Sequence, residues 1–144
     1  MIVGTVTLTQ PQGSGRQFVA TSGSGHHLLV DDPTGNTAAK PIELVAIALA
    51  GCTAFDVINI LRKKRQQVTG YEVRCEADQA ANPPQVFTNV RIHHTIRGEV
   101  DPASVEDAIR LSEEKYCSVG AMVKQTAELH TSYEILSEKA IEAK

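Results

Sequence analysis

Two cysteines and one aspartate carry the chemistry this sequence can offer. Cys52 lies in the run Leu49-Ala50-Gly51-Cys52-Thr53-Ala54-Phe55-Asp56. On a helix, Asp56 falls about 40° round from Cys52, one turn later on the same face. Val45, Leu49 and Phe55 share or flank that face. A thiol on an apolar surface with a polar neighbour fits a small substrate pocket (Val45, Leu49, Phe55, Asp56), and it also fits an ordinary core. Asp56 favours the pocket, because a carboxylate inside an apolar helical stretch needs a partner or a water-lined site. It does not activate the thiol, since a nearby negative charge raises a thiol pKa and a cation from elsewhere would be required. Cys117 follows 65 residues after Cys52, in Tyr116-Cys117-Ser118-Val119-Gly120. That separation is neither a C-x-x-C redox motif nor the paired spacing of zinc knuckles. Cys75 alternates with Tyr71 and Val73 and is expected to pack in a core.

The five histidines offer a competing chemistry. His26-His27 and His93-His94 are adjacent pairs, and His130 stands alone. Adjacent strand residues point to opposite faces, so each pair gives a single site one imidazole at most. A metal site of Cys52, Cys117 and one His is the weaker alternative, and no metal or other cofactor is expected. Gly13-Ser14-Gly15 and Gly23-Ser24-Gly25 do not open helices after buried strands, so they are not phosphate loops. Arg62 to Arg65 suits the negative end of a helix dipole better than a nucleic-acid patch.

These residues need elements to hold them. Ile2 to Thr9, Phe18 to Ser22 and His27 to Val30 alternate between turn clusters and predict an antiparallel meander of three strands. A polar loop follows over Asp31 to Lys40. Pro41 suits the first turn of a helix that runs to about Arg65, apolar on nearly every side and hence expected to be buried all round. Tyr71 to Ala77 and Val86 to Gly98 read as strands about an Asn82-Pro83-Pro84 turn. Pro102 to Lys115 reads as an amphipathic helix, Tyr116 to Val123 as a second helical piece loosened at Gly120, and Gln125 to Leu136 as a last strand. Ser137 to Lys144 is a polar tail. The order indicates an α+β fold in one domain, 1–144.

Composition narrows the function classes. The 144 residues are 42% hydrophobic and 22% charged, with a net charge of −3. A basic nucleic-acid binder is disfavoured. With three Phe, three Tyr and no Trp, so is a base-stacking sheet. The apolar stretch Leu44 to Leu61 is expected to be a core helix, not a membrane span, because Asp56 near its centre would cost about 2.5–3.5 kcal/mol in a bilayer. The N-terminus shows no basic segment followed by an apolar one. The expected location is therefore cytoplasmic, where thiols stay reduced.

The run from Lys40 to Val57, with its Ala50-Gly51-Cys52-Thr53 centre, resembles the central helix of the OsmC/Ohr family, the osmotically inducible and organic hydroperoxide resistance proteins. Glu114-Lys115-Tyr116-Cys117-Ser118-Val119 resembles that family's second cysteine motif. Gly25 to Asp31 and the order of elements match as well, so the likeness covers essentially the whole chain. It implies an OsmC-like fold of antiparallel sheets on a long buried central helix, in an intertwined homodimer with its sites at the subunit interface. It implies a thiol-dependent peroxidase of organic hydroperoxides. Cys52 would be peroxidatic and Cys117 resolving, through an intramolecular disulfide reduced by an external dithiol such as dihydrolipoamide or a lipoylated protein. Organic hydroperoxide enzymes also hold the thiolate with an Arg–Glu pair, for which Arg16 and Glu43 are the candidates. Ile42 stands where their Glu would be, and Ser118 where they carry Pro, which places the chain among the OsmC-like members. The alternative is a non-catalytic ligand-binding or redox-sensing protein of that fold.

Overall fold

The computed structural model describes residues 1–137; the rest of the polar tail expected over Ser137–Lys144 lies outside them. The chain forms two compact units, one over Met1–Val45 and one from Ala46 onward.

In the first unit, β1 (Gly4–Leu8), β2 (Phe18–Ser22) and β3 (His27–Val30) form the expected antiparallel meander in the order β1-β2-β3. The loop after β3 is held by Asp31, which is buried. Its carboxylate accepts from the Thr37 hydroxyl and from the backbone N–H groups of Asp32 and Thr37. These hydrogen bonds, the Thr37 hydroxyl foremost, hold the Asp31 carboxyl below its usual range.

Helix α1 (Pro41–Lys63) opens with Pro41 and ends in Arg62 and Lys63, as the dipole favours. Its buried positions are Leu49, Thr53, Val57 and Leu61. That four-residue repeat marks a single stripe along the helix. All-round burial, expected from composition, is not seen in the single chain: Ile47 is 60% and Phe55 78% exposed. By length and composition α1 could also cross a membrane. Its buried stripe instead packs on protein, with Val57 and Leu61 joining Ile96, Val105, Ala108 and Ile109 in one core cluster.

In the second unit, β4 (Gln67–Gln79) and β5 (Phe87–Glu99) pair antiparallel, and β6 (Glu128–Leu136) adds to the other side of β5. The β5–β6 pairing is parallel, which corrects the expectation of purely antiparallel sheets. A parallel neighbour requires a crossover. The segment from α2 (Pro102–Leu111) through a π-helical turn (Ser112–Tyr116) to α3 (Ser118–Val123) provides it. Asp101 caps α2 by accepting from the Ala103 N–H, with Pro102 at the first helical position. The expected loosening at Gly120 occurs earlier, at Cys117, whose backbone is extended between the π-helical turn and α3. At Gly98, where φ is +125°, a Cβ would collide with the Gln67 carbonyl oxygen, so only glycine permits the adjoining bulge.

On the inward face of β5, His94 is completely buried. Its Nδ1 lies 2.7 Å from the Tyr71 hydroxyl, and the two rings stack at 5.9 Å. His94 Nε2 has no hydrogen-bond partner among the described residues. Burial, with a smaller effect of His93, pushes the His94 pKa down to about 4. The folded protein therefore holds His94 neutral, whereas the unfolded chain takes up its proton near pH 6.5. Stability is complete above that pH and is lost as the pH falls toward about 4, a contribution on the order of 3 kcal/mol. His94→Phe should flatten the decline in melting temperature between pH 6.5 and 4; an unchanged decline would show that His94 does not cause it.

Candidate dithiol site

The site lies in the second unit, where α1 meets the crossover. Cys52 and Asp56 project from the same side of α1, one turn apart, as their spacing predicts. Cys117 reaches them from the extended residue between the π-helical turn and α3. Cys52 Sγ, an Asp56 carboxylate oxygen and Cys117 Sγ all lie within 4.8 Å of one another. Two thiols separated by 65 residues of chain thus share one carboxylate. All three cysteines are free. Cys117 is buried and Cys52 half-buried.

Hydrogen bonds fix the carboxylate and one sulfur. Ser112 is fully buried, and its hydroxyl donates to Asp56 Oδ2 at 2.9 Å while lying 3.0 Å from Thr53 Oγ1. The Gly120 N–H donates to Cys117 Sγ at 3.2 Å. A Cβ at Gly120 would stand 3.1 Å from that sulfur and 3.7 Å from Leu49 Cδ1, so glycine leaves the room the sulfur occupies. Burial pushes the Cys117 thiol up to about 11, helped by its hydrogen bond with Cys52 and the charge of Asp56, against the Gly120 N–H. Burial and the Asp56 charge also raise the Tyr71 hydroxyl above its usual range. Cys117 is therefore a protonated thiol at neutral pH.

The other expected site residues divide. Leu49 is buried and lines a small cavity with Thr53, Ile92, Glu113, Cys117, Gly120, Lys124 and Leu129. Phe55 faces away from the core and is exposed in the single chain, as is Val45. Arg16 pairs with Asp32 at 2.7 Å, and its side chain is largely exposed. The Glu43 carboxylate accepts from the Lys40 N–H at 3.0 Å, a reciprocal cap of α1. Each thus has a partner within the first unit. Cys75 is half-buried on the inward side of β4, as expected of core packing. Sequence reasoning missed Ser112 and Thr53. Thr53 was legible as a small polar residue on the buried stripe, whereas nothing in Leu111-Ser112-Glu113 distinguishes Ser112 from a solvated helix residue. The histidine of the alternative metal site is replaced: among the described residues the third member of the cluster is Asp56. His94 is engaged with Tyr71, and His26, His27, His93 and His130 have polar partners of their own.

An α+β fold with a dithiol on its long helix and its crossover defines the class. The profile of the OsmC-like proteins matches residues 34–132, and the chain belongs to that family. It is 38% identical over 124 residues to protein YhfA of Escherichia coli K12, spanning 85% of this chain and 92% of YhfA. A solved structure of a hypothetical protein from Aquifex aeolicus superposes with a TM-score of 0.85 at 28% identity, over 96% of this chain and 98% of that one. An organic hydroperoxide resistance protein from Elizabethkingia anophelis shares the fold, with a TM-score of 0.69 at 18% identity over 94% and 96% of the two chains. The expected OsmC/Ohr fold is thereby established.

The raised Cys117 thiol has a direct readout. In the native protein, alkylation of Cys117 by iodoacetamide, followed by peptide mass, should keep accelerating with pH up to about 11. In urea it should level off near the ordinary cysteine value of about 8.5. Levelling at the same pH in both states would mean that burial does not control the thiol.

Proposed function

We propose that the protein is a cysteine-based reductase of organic hydroperoxides, acting as a homodimer in the reducing cytoplasm. The carrying observation is the convergence of Cys52 and Cys117, distant in sequence, beside one carboxylate. Family membership supports the reading, because several proteins of this fold are named for organic hydroperoxide resistance.

Their environments divide the labour between the thiols. Cys52, the less buried, attacks as thiolate the outer oxygen of the hydroperoxide. The O–O bond breaks, the sulfur becomes a sulfenic acid, and the alcohol leaves with a proton. The Cys117 thiol then attacks the Cys52 sulfur. An S–S bond forms, the S–OH bond breaks, and water departs with the proton that Cys117 gives up. Asp56 is placed to receive that proton in passing, and the Gly120 N–H supports the sulfur as it ionises. An external dithiol, of the dihydrolipoamide kind, restores both thiols by exchange. The apolar Leu49 side favours an organic over an inorganic hydroperoxide. Arg16 and Glu43 have no step in this scheme.

The same helix supports the proposed dimer. Ile47 and Phe55 on α1 and Met122 on α3 are exposed apolar side chains that a second copy would cover.

One equivalent of cumene hydroperoxide should remove two thiols and lower the intact mass by about two hydrogens, as a disulfide formed through a sulfenic acid requires. Cys52→Ser should lose all turnover, and Cys117→Ser should stop after one oxidation. Three intact thiols at unchanged mass would instead make the protein a non-catalytic binding member of its family. In sedimentation, wild type should run as a dimer and Phe55→Asp as a monomer; an unshifted variant would place the interface elsewhere.

A further inference from the structure

The dithiol has a second chemistry that peroxide reduction does not use. We propose that the reduced protein binds one thiophilic divalent cation of the zinc type through Cys52 Sγ, the Asp56 carboxylate and Cys117 Sγ, with a fourth position left open. This inference does not depend on peroxidase activity, since it requires only that both thiols be reduced.

The geometry is already close to what such an ion imposes. Tetrahedral zinc, with bonds of about 2.3 Å to sulfur and 2.0–2.2 Å to oxygen, sets its ligands roughly 3.4–3.8 Å apart. The three donor atoms here lie within 4.8 Å of one another before any ion draws them in. Two sulfurs and one oxygen are a soft set, which selects zinc over magnesium or calcium. The supporting bonds are also those of a ligand shell. Ser112 donates to the Asp56 carboxylate and so orients it, and the Gly120 N–H donates to the Cys117 sulfur. Both supporting donors are neutral. Binding would take a proton from each thiol, and a divalent cation would offset two of the three negative charges of the resulting donor set. The Asp56 side opens into a cleft of about 390 Å³ between Asn59, Ile60, Lys63, Lys64, Leu111 and Tyr116. A water would complete the coordination there.

Cobalt(II) is the probe, because tetrahedral cobalt thiolate sites absorb in the visible and carry a sulfur-to-metal band in the near ultraviolet. Titrating the reduced full-length protein should give both signals at one ion per chain, and zinc should displace the cobalt. Cys52→Ser and Cys117→Ser should each weaken the sulfur band, Asp56→Asn should lower affinity about tenfold or more, and Cys75→Ser should change nothing. A measurement on wild type alone guards against variants that fail to fold. Saturating zinc should protect Cys52 and Cys117, but not Cys75, from alkylation. Absence of the tetrahedral spectrum, protection of Cys75, or undiminished affinity in Asp56→Asn would overturn the assignment. Cobalt binding by a protein that leaves cumene hydroperoxide untouched would sink the peroxidase reading and leave this one standing.

Discussion

A single buried hydroxyl joins the two halves of the site. Ser112, with no exposure, donates to a carboxylate on α1 and so ties the π-helical turn to the helix that carries Cys52. That bond gives the Asp56 carboxylate a buried partner where α1 meets the crossover. With it, the carboxylate has a fixed orientation, and the chain that leaves Ser112 delivers Cys117 five residues later. The π-helical turn contributes directly: the Cys117 N–H closes on the Ser112 carbonyl at 2.8 Å. A widened turn of this kind commonly accompanies functional positions. Here it ends one helical piece and exposes the next residue's sulfur to α1.

Much of this was legible in the sequence. The pairing of Cys52 with Asp56 follows from helical spacing alone. The three-strand meander, the opening at Pro41 and the start of α2 at Pro102 follow from local turn and proline chemistry. What was not legible depends on partners distant in the chain. The strand over Glu128–Leu136 carries the same alternation whether its neighbour is parallel or antiparallel, so its direction had to come from the structure. The continuous apolarity of α1 suggested burial on every side, but one sheet covers only one stripe of a helix. His93 and His94 are indistinguishable as residues, yet one reaches Ser132 at the surface and the other lies sealed against Tyr71.

The site also shows why a thiol's chemistry cannot be read from its neighbours in sequence. Cys117 has Lys115 two residues before it, which suggests an activating cation. The sulfur instead turns inward, where burial, Cys52 and Asp56 act on it and together raise its pKa. Arg16 illustrates the same point: its charge is taken up by Asp32 within the first unit.

The parallel crossover has a consequence for the order of assembly. Among the described residues, β6 is the last element, and its one partner strand is β5. During synthesis from the N-terminus, α1 and Cys52 emerge long before the segment that carries Cys117, and the sheet of the second unit lacks its third strand until β6 has followed that segment. The growing chain therefore carries Cys52 without the second thiol of the site until Cys117 has emerged. The paired site comes into being only once the crossover has followed α1, a delay built into the topology and independent of how fast each helix or hairpin forms.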